Sequence, residues 1–263
     1  MVSILITHYN RFDALKKCVE AFQDLNIENV EIVVADDSSD RITQHKLKGL
    51  KIDLLLLSEK NQGLASNLNK GIKACEGNFI LYCQEDFIPK SPLEDYIAEA
   101  MYLIDNNIAD MCRLKANYKF PFLKALSSNF SLIPKFSWKN FYYNTFQYSD
   151  NPFIAKKVFF ENYGYYLEGV SGDYGENEFA IRIMKSKAKI AIAKKYVFSS
   201  NKESKSVIKN EKKIRKRKII KRLKIHKVLR AIRLHFEFLM YSNSKRKLYT
   251  IKNYRKVIKI KKN

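Results

Sequence analysis

Residues 32–37 read I-V-V-A-D-D and residues 79–86 read F-I-L-Y-C-Q-E-D, so two apolar runs of this chain end in adjacent acids. Continuous Val, Ile and Leu runs are typical of strands buried on both faces, as in the parallel strands of an α/β sheet. In such sheets, ligands bind outside the carboxyl ends of the strands. We therefore expect four carboxylates to meet at one edge and hold a nucleotide and a divalent cation: Asp36, Asp37, Glu85 and Asp86. The alternative is that these acids are solvated strand ends or helix N-caps.

The rest of the chain alternates between strand and helix patterns. Strands are predicted at 2–7, 30–35, 54–57, 79–83 and 188–198, and helices at 13–24, 64–75, 93–105, from about Glu176, and around 225–240. This alternation favours an α/β fold with a mostly parallel, doubly wound, Rossmann-type sheet. The aromatic-rich stretch 110–170 is interpreted as core and loop packing, with ring faces for a sugar or lipid acceptor as a second reading.

Most of the formal charge of +22 lies at the C-terminal end. Residues 202–263 contain 24 Lys or Arg and 3 Asp or Glu, whereas residues 1–201 contain 25 and 24. We divide the chain into two halves of one domain, 1–110 and 111–201, and a basic amphipathic helical tail (202–263). Such a tail favours a polyanion as partner, and its aliphatic stripe with basic flanks fits an anionic membrane surface. The alternatives are a helix packed on the body of the protein or on a partner, and a contact with nucleic acid.

The cysteines and histidines show no metal pattern. The four cysteines lack C-x-x-C spacing and are predicted to be reduced thiols, and the four histidines are scattered. The N-terminus enters a strand directly, without the basic region of a signal peptide, and no stretch approaches the roughly 18 apolar residues of a membrane span. We expect a cytoplasmic protein with a peripheral place on the inner face of the plasma membrane.

Four further stretches carry a resemblance to a known family. They are V-S-I-L-I-T-H-Y-N-R at 2–11, V-V-A-D-D-S-S-D at 33–40, N-Q-G-L-A-S-N-L-N-K-G-I at 61–72 and L-Y-C-Q-E-D-F-I-P at 81–89. In this order and spacing they resemble the opening strand, second strand, Asn-x-Gly helix entry and Asp-x-Asp metal motif of the family 2 glycosyltransferases. The resemblance covers 1–105 well and 145–185 loosely. It implies a GT-A fold and a nucleotide-sugar donor, most commonly a UDP-sugar.

The resemblance also implies roles for individual residues. Tyr9 stacks on a base, Arg11 faces phosphate or orders Asp36, and Gly63 lets the backbone approach the ligand. The nucleotide-binding set implied in this way is Thr7, Tyr9, Arg11, Asp36, Asp37, Asn61, Gly63, Asn67, Gln84 and Glu85. Asp86 is the implied metal ligand, for Mn2+ or Mg2+ bridging the two phosphates as a Lewis acid.

An inverting transfer also needs a general base that takes the proton of the acceptor hydroxyl. In the family, the base comes from an acidic pair at a helix start, which G-E-N-E-F-A-I-R at 175–182 resembles. This assigns the base to Glu176 or Glu178, with Asp173 in reserve, unless Glu176 and Glu178 are solvated acids of a first helical turn. The resemblance thereby makes 1–110 the nucleotide-sugar-binding half of the domain and 111–201 its acceptor-binding and catalytic-base half. Two departures from the family pattern are Gln84, in place of the first Asp of the metal motif, and Asn177, in place of the Asp of the commoner Glu-Asp pair.

Two other classes of protein compete with this interpretation. A receiver-like phosphoacceptor domain also has adjacent acids after a buried strand, but it spans roughly 120 residues and leaves the aromatic stretch without a place. The alternative of a different class is a nucleic-acid- or polyanion-binding protein acting through the basic tail. The tail has few rings, and we expect no specific nucleic acid. The sequence therefore predicts a glycosyltransferase that transfers a sugar to a glycan or lipid-linked acceptor in bacterial surface polysaccharide biosynthesis.

Overall fold

A computed structural model describes residues 1–25, 27–200 and 224–251. In the described residues the strands are β1 (Val2–His8), β2 (Val30–Asp36), β3 (Leu54–Leu57), β4 (Phe79–Gln84), β5 (Phe87–Pro89), β6 (Met111–Arg113), β7 (Lys124–Ala125), β8 (Phe130–Leu132), β9 (Phe153–Lys156), β10 (Ile190–Ala193) and β11 (Phe198–Ser200). The helices are α1 (Phe12–Gln23), α2 (Arg41–Leu47), α3 (Leu64–Ala74), α4 (Leu93–Asp105), α5 (Lys157–Tyr163), α6 (Gly172–Lys185) and α7 (Lys224–Met240), with one 3₁₀ turn at Trp138–Asn140.

Nine strands form one mixed sheet in the order β3-β2-β1-β4-β9-β6-β10-β8-β7. The four strands β3, β2, β1 and β4 are parallel, and β9 runs antiparallel to both of its neighbours. The predicted α/β class with a mostly parallel, Rossmann-type half is confirmed. The predicted closing strand 188–198 is wrong in one respect: it is two strands, because β10 joins the large sheet whereas β11 pairs with β5 in a separate two-stranded sheet.

Both faces of the sheet are covered by apolar packing, which explains why β1 and β2 lack an alternating pattern. On one face, Ile4 and Ile6 of β1 pack in the same cluster as the buried sides of α1 and α4. On the other face, Leu5 packs with α3 and α6. Strands buried on both faces are a property of parallel sheets between two helical layers. The hydrophobic runs of the sequence therefore arise from burial on both sides.

The register of the parallel strands brings the predicted acidic ends to one edge. His8 is the partner of Asp36 across β1 and β2, and Thr7 is the partner of Gln84 across β1 and β4. One strand, β1, lies between β2 and β4. Neighbouring strands lie about 4.8 Å apart, so the ends of β2 and β4 are close in space. The loops that follow β1, β2 and β4 thus lie side by side.

The helix predicted around 225–240 is α7, and it packs on α6. Leu234, Tyr241 and Leu248 form a small cluster with Tyr174 and Ile181 of α6. The rest of the predicted tail, 202–223 and 252–263, lies outside the described residues. Among the helices that are described, none is long and apolar enough to cross a membrane.

Candidate active site

A buried hydrogen-bonded pair, His8 and Asp36, forms the base of the loops at the strand ends. Nδ1 of His8 lies 2.8 Å from Oδ1 of Asp36, and Nε2 of His8 accepts the backbone N–H of Arg11 at 3.1 Å. Because Nε2 accepts, the ring is in the tautomer that carries its proton on Nδ1 and donates it to Asp36. Burial alone raises the pKa of Asp36, but hydrogen bonds from His8 and Ser39 outweigh it and hold that pKa below its ordinary value.

This arrangement gives Asp36 a structural role. Its carboxylate is completely buried, and it also accepts the backbone N–H of Ser39 at 2.9 Å and the Ser39 hydroxyl. Through His8, Asp36 holds the loop after β1 and with it the backbone of Arg11. Its contact with nucleotide stays a prediction.

Arg11 joins the first strand end to the acids that follow β4. Its Nε lies 2.9 Å from Oε1 of Glu85, and Nη1 and Nη2 lie 3.0 and 3.2 Å from Oδ2 of Asp86. Burial raises the pKa of Glu85 to about 6, with Arg11 opposing the rise. The sequence suggested phosphate or Asp36 as the partner of Arg11. The structure gives it Glu85 and Asp86.

Asp37 holds the loop that leads into α3. Its two carboxylate oxygens accept the backbone N–H groups of Gln62 and Gly63, each at 2.8 Å. Gly63 has φ +90°, a conformation that favours glycine, and the space where a Cβ would lie is open. An open, glycine-lined N-terminus of a helix is suited to close approach by an anion. Asp37 therefore shapes this loop, and the open space at Gly63 is consistent with the prediction that backbone and ligand approach each other there.

The remaining predicted nucleotide residues lie around these loops with different exposures. Tyr9, just after β1, and Asn61, in the loop before α3, are both half-buried. Thr7 is buried, and its hydroxyl lies 3.3 Å from that of Tyr82. Asn67 is also buried and donates to the carbonyl of Ala35 at 2.6 Å, which places it between α3 and β2. Thr7 and Asn67 thus make packing contacts inside the protein, and their contact with nucleotide stays a prediction.

A second part of the site links β4 to the start of α6. The side-chain amide of Gln84 donates to the carbonyl of Asp150 at 3.0 Å, and the backbone N–H of Asp150 donates to Oε1 of Glu176 at 3.2 Å. Gln84 and the predicted base Glu176 therefore contact the backbone of the same residue, Asp150, which connects Glu176 to the strand end that precedes Glu85 and Asp86. Asp150 was not identified from the sequence, since it follows an irregular aromatic stretch without a strand or motif of its own.

Buried polar groups fix the position of Asp150. The guanidinium of Arg113 is almost fully buried, donates to the carbonyl of Phe146 at 2.7 Å and also contacts the Ser149 hydroxyl. The hydroxyl of Tyr148 donates to Oδ1 of Asp150 at 2.8 Å and accepts from Tyr166 at the same distance. These contacts hold the 146–150 segment against the end of the sheet, which is the kind of support a precise site needs.

The carboxyl groups of Asp150 and Glu176 influence each other. Burial, together with the nearby Glu176, raises the pKa of Asp150 to about 8. Burial also raises the pKa of Glu176, against the hydrogen bond from the Asp150 backbone. Two neighbouring acids with raised pKa values are typical of general acid–base sites, although structural networks produce them as well.

The second predicted base, Glu178, lies in a different environment. It is fully buried, with Oε1 3.1 Å from Nε of Arg182 and 3.2 Å from Nε of Arg246, and it also accepts from the Tyr241 hydroxyl. Burial raises the pKa of Glu178, but these three groups together outweigh it and lower that pKa. A buried, multiply paired carboxylate is a poor proton acceptor. In the structure Glu178 joins α6 to the segment after α7.

The described residues contain no cluster of three or more His, Cys, Asp or Glu side chains arranged to hold a metal ion. Sites that bind Mg2+ through substrate phosphates commonly use only one or two carboxylates, so a smaller donor set is sufficient. Asp86 fits this pattern, because Arg11 contacts only its Oδ2 and the side chain is 28% exposed. All four cysteines are buried and free.

Comparisons with solved structures identify the fold. The chain superposes on S. aureus TarS in complex with UDP-GlcNAc with a TM-score of 0.59 and 18% identity, covering 93% of this chain and 77% of that one. It also superposes on the Pyrobaculum calidifontis mannosyltransferase PcManGT, in complex with GDP-Man and Mn2+, with a TM-score of 0.51 and 14% identity over 73% and 56% of the two chains. At these identities the likeness shows the fold alone, and the predicted GT-A fold is confirmed.

Comparisons with curated proteins cover about a third of the chain. The chain is 30% identical over 88 residues to the Escherichia coli UDP-Glc:alpha-D-GlcNAc-diphosphoundecaprenol beta-1,3-glucosyltransferase WfaP, covering 33% of this chain and 35% of that protein. It is 27% identical over 90 residues to the Campylobacter jejuni GalNAc(5)-diNAcBac-PP-undecaprenol beta-1,3-glucosyltransferase, covering 32% and 29%. The matches span about a quarter to a third of these and other curated relatives. The model of glycosyl transferase family 2 matches residues 3–164, more than half of the sequence, and the chain therefore belongs to that family.

Proposed function

We propose that this protein transfers a sugar from a nucleotide-sugar, specifically a UDP-sugar, to a glycan or lipid-linked acceptor in bacterial surface polysaccharide biosynthesis. The observation that carries the proposal is that two clusters of charged side chains lie at the same end of the sheet. The first cluster is Arg11 with Glu85 and Asp86, and the second is Asp150 with Glu176. Gln84 connects the two through the carbonyl of Asp150. Two curated relatives carry names that describe transfer to undecaprenyl-diphosphate-linked sugars, which supports the acceptor class.

The proposed reaction is a direct displacement at the anomeric carbon with inversion. The oxygen of the acceptor hydroxyl forms the new bond to that carbon, while the bond from the carbon to the nucleoside diphosphate breaks. Glu176 takes the proton of the hydroxyl as general base. This role is supported by the hydrogen bond of Glu176 to the backbone of Asp150, which in turn is bonded to Gln84 at the end of β4.

Asp86 is the proposed ligand of a divalent cation, with Oδ1 as its donor atom. A bound Mn2+ or Mg2+ supplies Lewis-acid stabilisation of the negative charge that develops on the departing diphosphate. Arg11 contributes a second positive charge at the same place, since its guanidinium lies within 3.2 Å of Asp86. The loop before α3, with Gly63 at its tip, is the proposed cradle for the nucleotide.

The proposed location is cytoplasmic, on the inner surface of the plasma membrane. The support is the charge of residues 202–263, which contain 24 Lys or Arg against 3 acids. Clusters of basic residues are attracted to anionic lipid headgroups. A lipid-linked acceptor lies at the same surface.

A panel of nucleotides tests the donor. Thermal unfolding of the full chain is measured with UDP, GDP, CDP and their sugars, each with and without Mn2+, because a ligand that binds only the folded state raises the melting temperature. We expect UDP and one or more UDP-sugars to raise it, and the effect to depend on Mn2+. No stabilisation by any nucleotide contradicts the proposed function, and stabilisation by GDP or CDP alone contradicts the UDP assignment. Stabilisation that Mn2+ does not increase contradicts the proposed role of a divalent cation in donor binding.

A further inference from the structure

Helix α7 presents a continuous apolar stripe to solvent. Six large apolar side chains at helical spacing form this stripe, and all are exposed: Ile225, Leu229, Ile232, Phe236, Leu239 and Met240. They lie within about 100° of the helix circumference, opposite the side that packs on α6. Exposed apolar patches of this kind mark sites of interaction with a protein or a membrane.

An aromatic patch of the 136–142 segment lies directly beside the stripe. The ring of His235 stacks on Phe141 with centroids 4.8 Å apart and meets Phe136 edge-on at 6.1 Å. His235 is three and four positions from Ile232 and Leu239, which places it on the flank of the stripe. Next to Phe136 lies Trp138, whose side chain is 80% exposed. The stripe and the patch form one surface, named the docking face.

The charges around the docking face are positive. Phe136 and Trp138 line a groove of about 730 Å³ together with five lysines, Lys124, Lys135, Lys139, Lys187 and Lys189, and without an acidic residue among the described lining. The acid of α7, Glu237, is completely buried and accepts backbone N–H groups of Tyr249 and Thr250. The outer side of the helix thus carries apolar groups, with the exposed Arg233 on its flank.

We infer that the docking face, including Trp138 on the body of the enzyme, inserts into the interfacial region of an anionic lipid bilayer. This inference rests on the membrane association proposed above and adds a surface of the folded domain to it. Helices that lie in a membrane interface combine an apolar face carrying Leu, Phe or Trp with Lys and Arg beside it. A second copy of the chain carries the same positive charge, and residues 202–223 and 252–263 are themselves basic, so neither complements the lysines.

The test uses the fact that Trp138 is the one tryptophan in the sequence. Fluorescence of the full chain is recorded with vesicles of phosphatidylcholine alone and with vesicles of phosphatidylglycerol and phosphatidylcholine in equal parts. We expect a blue shift and protection from acrylamide quenching with the anionic vesicles only. If the protein binds these vesicles without a change in Trp138 emission, the inference about the docking face is wrong, and attachment through other basic residues remains. If the protein does not bind them at all, both the inference and the proposed membrane association are wrong. The proposed transfer of a sugar is tested separately, by nucleotide binding.

Matched variants test the contribution of the stripe. L229S combined with I232S is expected to weaken partitioning onto the anionic vesicles at least about tenfold, because two large apolar groups no longer leave water. I42S is the control, since Ile42 is 72% exposed on α2, away from the docking face. Equal partitioning of the three proteins overturns the inference. A concentration-dependent dimer that only L229S/I232S abolishes also overturns it, because a second copy then covers the stripe.

Discussion

The backbone N–H of Asp150 donates to Oε1 of Glu176 at 3.2 Å, which joins the loop before β9 to the first turns of α6. The bond orients the Glu176 carboxylate without neutralising it. The nearby Asp150 carboxyl adds a second titrating group to the same place, where burial raises its pKa to about 8. The two acids are therefore expected to titrate as a pair, with a proton shared between them over part of the pH range.

The first prediction concerns the identity of the base. Glu176→Gln is expected to lower turnover by about 10²–10⁴-fold, because the amide cannot accept the proton of the acceptor hydroxyl. Donor binding, measured by thermal stabilisation with UDP or a UDP-sugar, is expected to remain. Glu161→Gln, at an exposed position of α5, is the control for the same chemical change. Retention of full turnover by the Glu176 variant rules out its role as base.

The second prediction concerns the pH dependence of transfer. The charge of Glu176 contributes to the pKa of about 8 of Asp150, so Glu176 ionises first, while Asp150 is still protonated and uncharged. Asp150→Asn replaces that uncharged group by another, so the acidic limb of the pH–rate profile is expected to stay in place, whereas a second transition near pH 8 is expected to disappear. Initial rates across the pH range, at saturating donor and acceptor, measure this. A transition that remains in the variant shows that it does not come from Asp150.

The same substitution changes how stability depends on pH. The pKa of Asp150 is about 8 in the folded protein against an ordinary value of 3.8, so between these values the folded state binds more protons than the unfolded state. The free energy of unfolding of the unmodified protein should therefore fall as pH rises from about 4 to about 8 through this group. Asp150→Asn is expected to flatten that fall in urea unfolding measured at several pH values. An identical slope in both proteins contradicts the raised pKa.

The residues that the sequence located and those that it missed differ in a physical way. The positions of Asp36 and Asp86 follow from local strand patterns, and parallel pairing then places their strand ends at one edge. Asp150 lies 26 positions from Glu176, so their pairing depends on the path of the aromatic segment, which has no repeating pattern. Glu176 and Glu178 are two positions apart, and on a helix that separation is about 200°, which sends them to opposite sides. The sequence pattern alone did not show which of the two faces the strand ends.

The third prediction concerns Asp86 and its partner Arg11. Asp86→Ala is expected to remove the Mn2+-dependent part of the thermal stabilisation by UDP, because the hard oxygen donor is lost. The variant leaves Arg11 paired with Glu85, so the positive charge stays in place and stabilisation by UDP in the absence of Mn2+ is expected to persist. Asp95→Ala, at an exposed position in the first turn of α4, is the matched control. Stabilisation by Mn2+ and UDP that is equal in both variants excludes Asp86 as the metal ligand.

The last prediction assigns a structural role to Glu178. Its carboxylate accepts from the guanidinium groups of Arg182 and Arg246 and from the Tyr241 hydroxyl, all in a site without water-exposed surface on the glutamate. Removing one partner of a buried ion pair leaves charges without compensation and costs about 3–5 kcal/mol. Glu178→Gln keeps the volume, so a lower free energy of unfolding in urea is expected from the lost charge alone.

The comparison with Glu176→Gln makes this prediction specific. Glu178→Gln is expected to lower the free energy of unfolding and to retain turnover in the fraction that stays folded. Glu176→Gln is expected to lower turnover and to leave the free energy of unfolding largely unchanged. Turnover is measured at a temperature well below the melting temperature of both variants, with the folded fraction determined by circular dichroism. Loss of turnover in fully folded Glu178→Gln protein contradicts this division of roles, and so does an unfolding free energy equal to that of the unmodified chain. The two acids that the sequence presents as an equivalent pair are thus separated by two measurements, one of rate and one of stability.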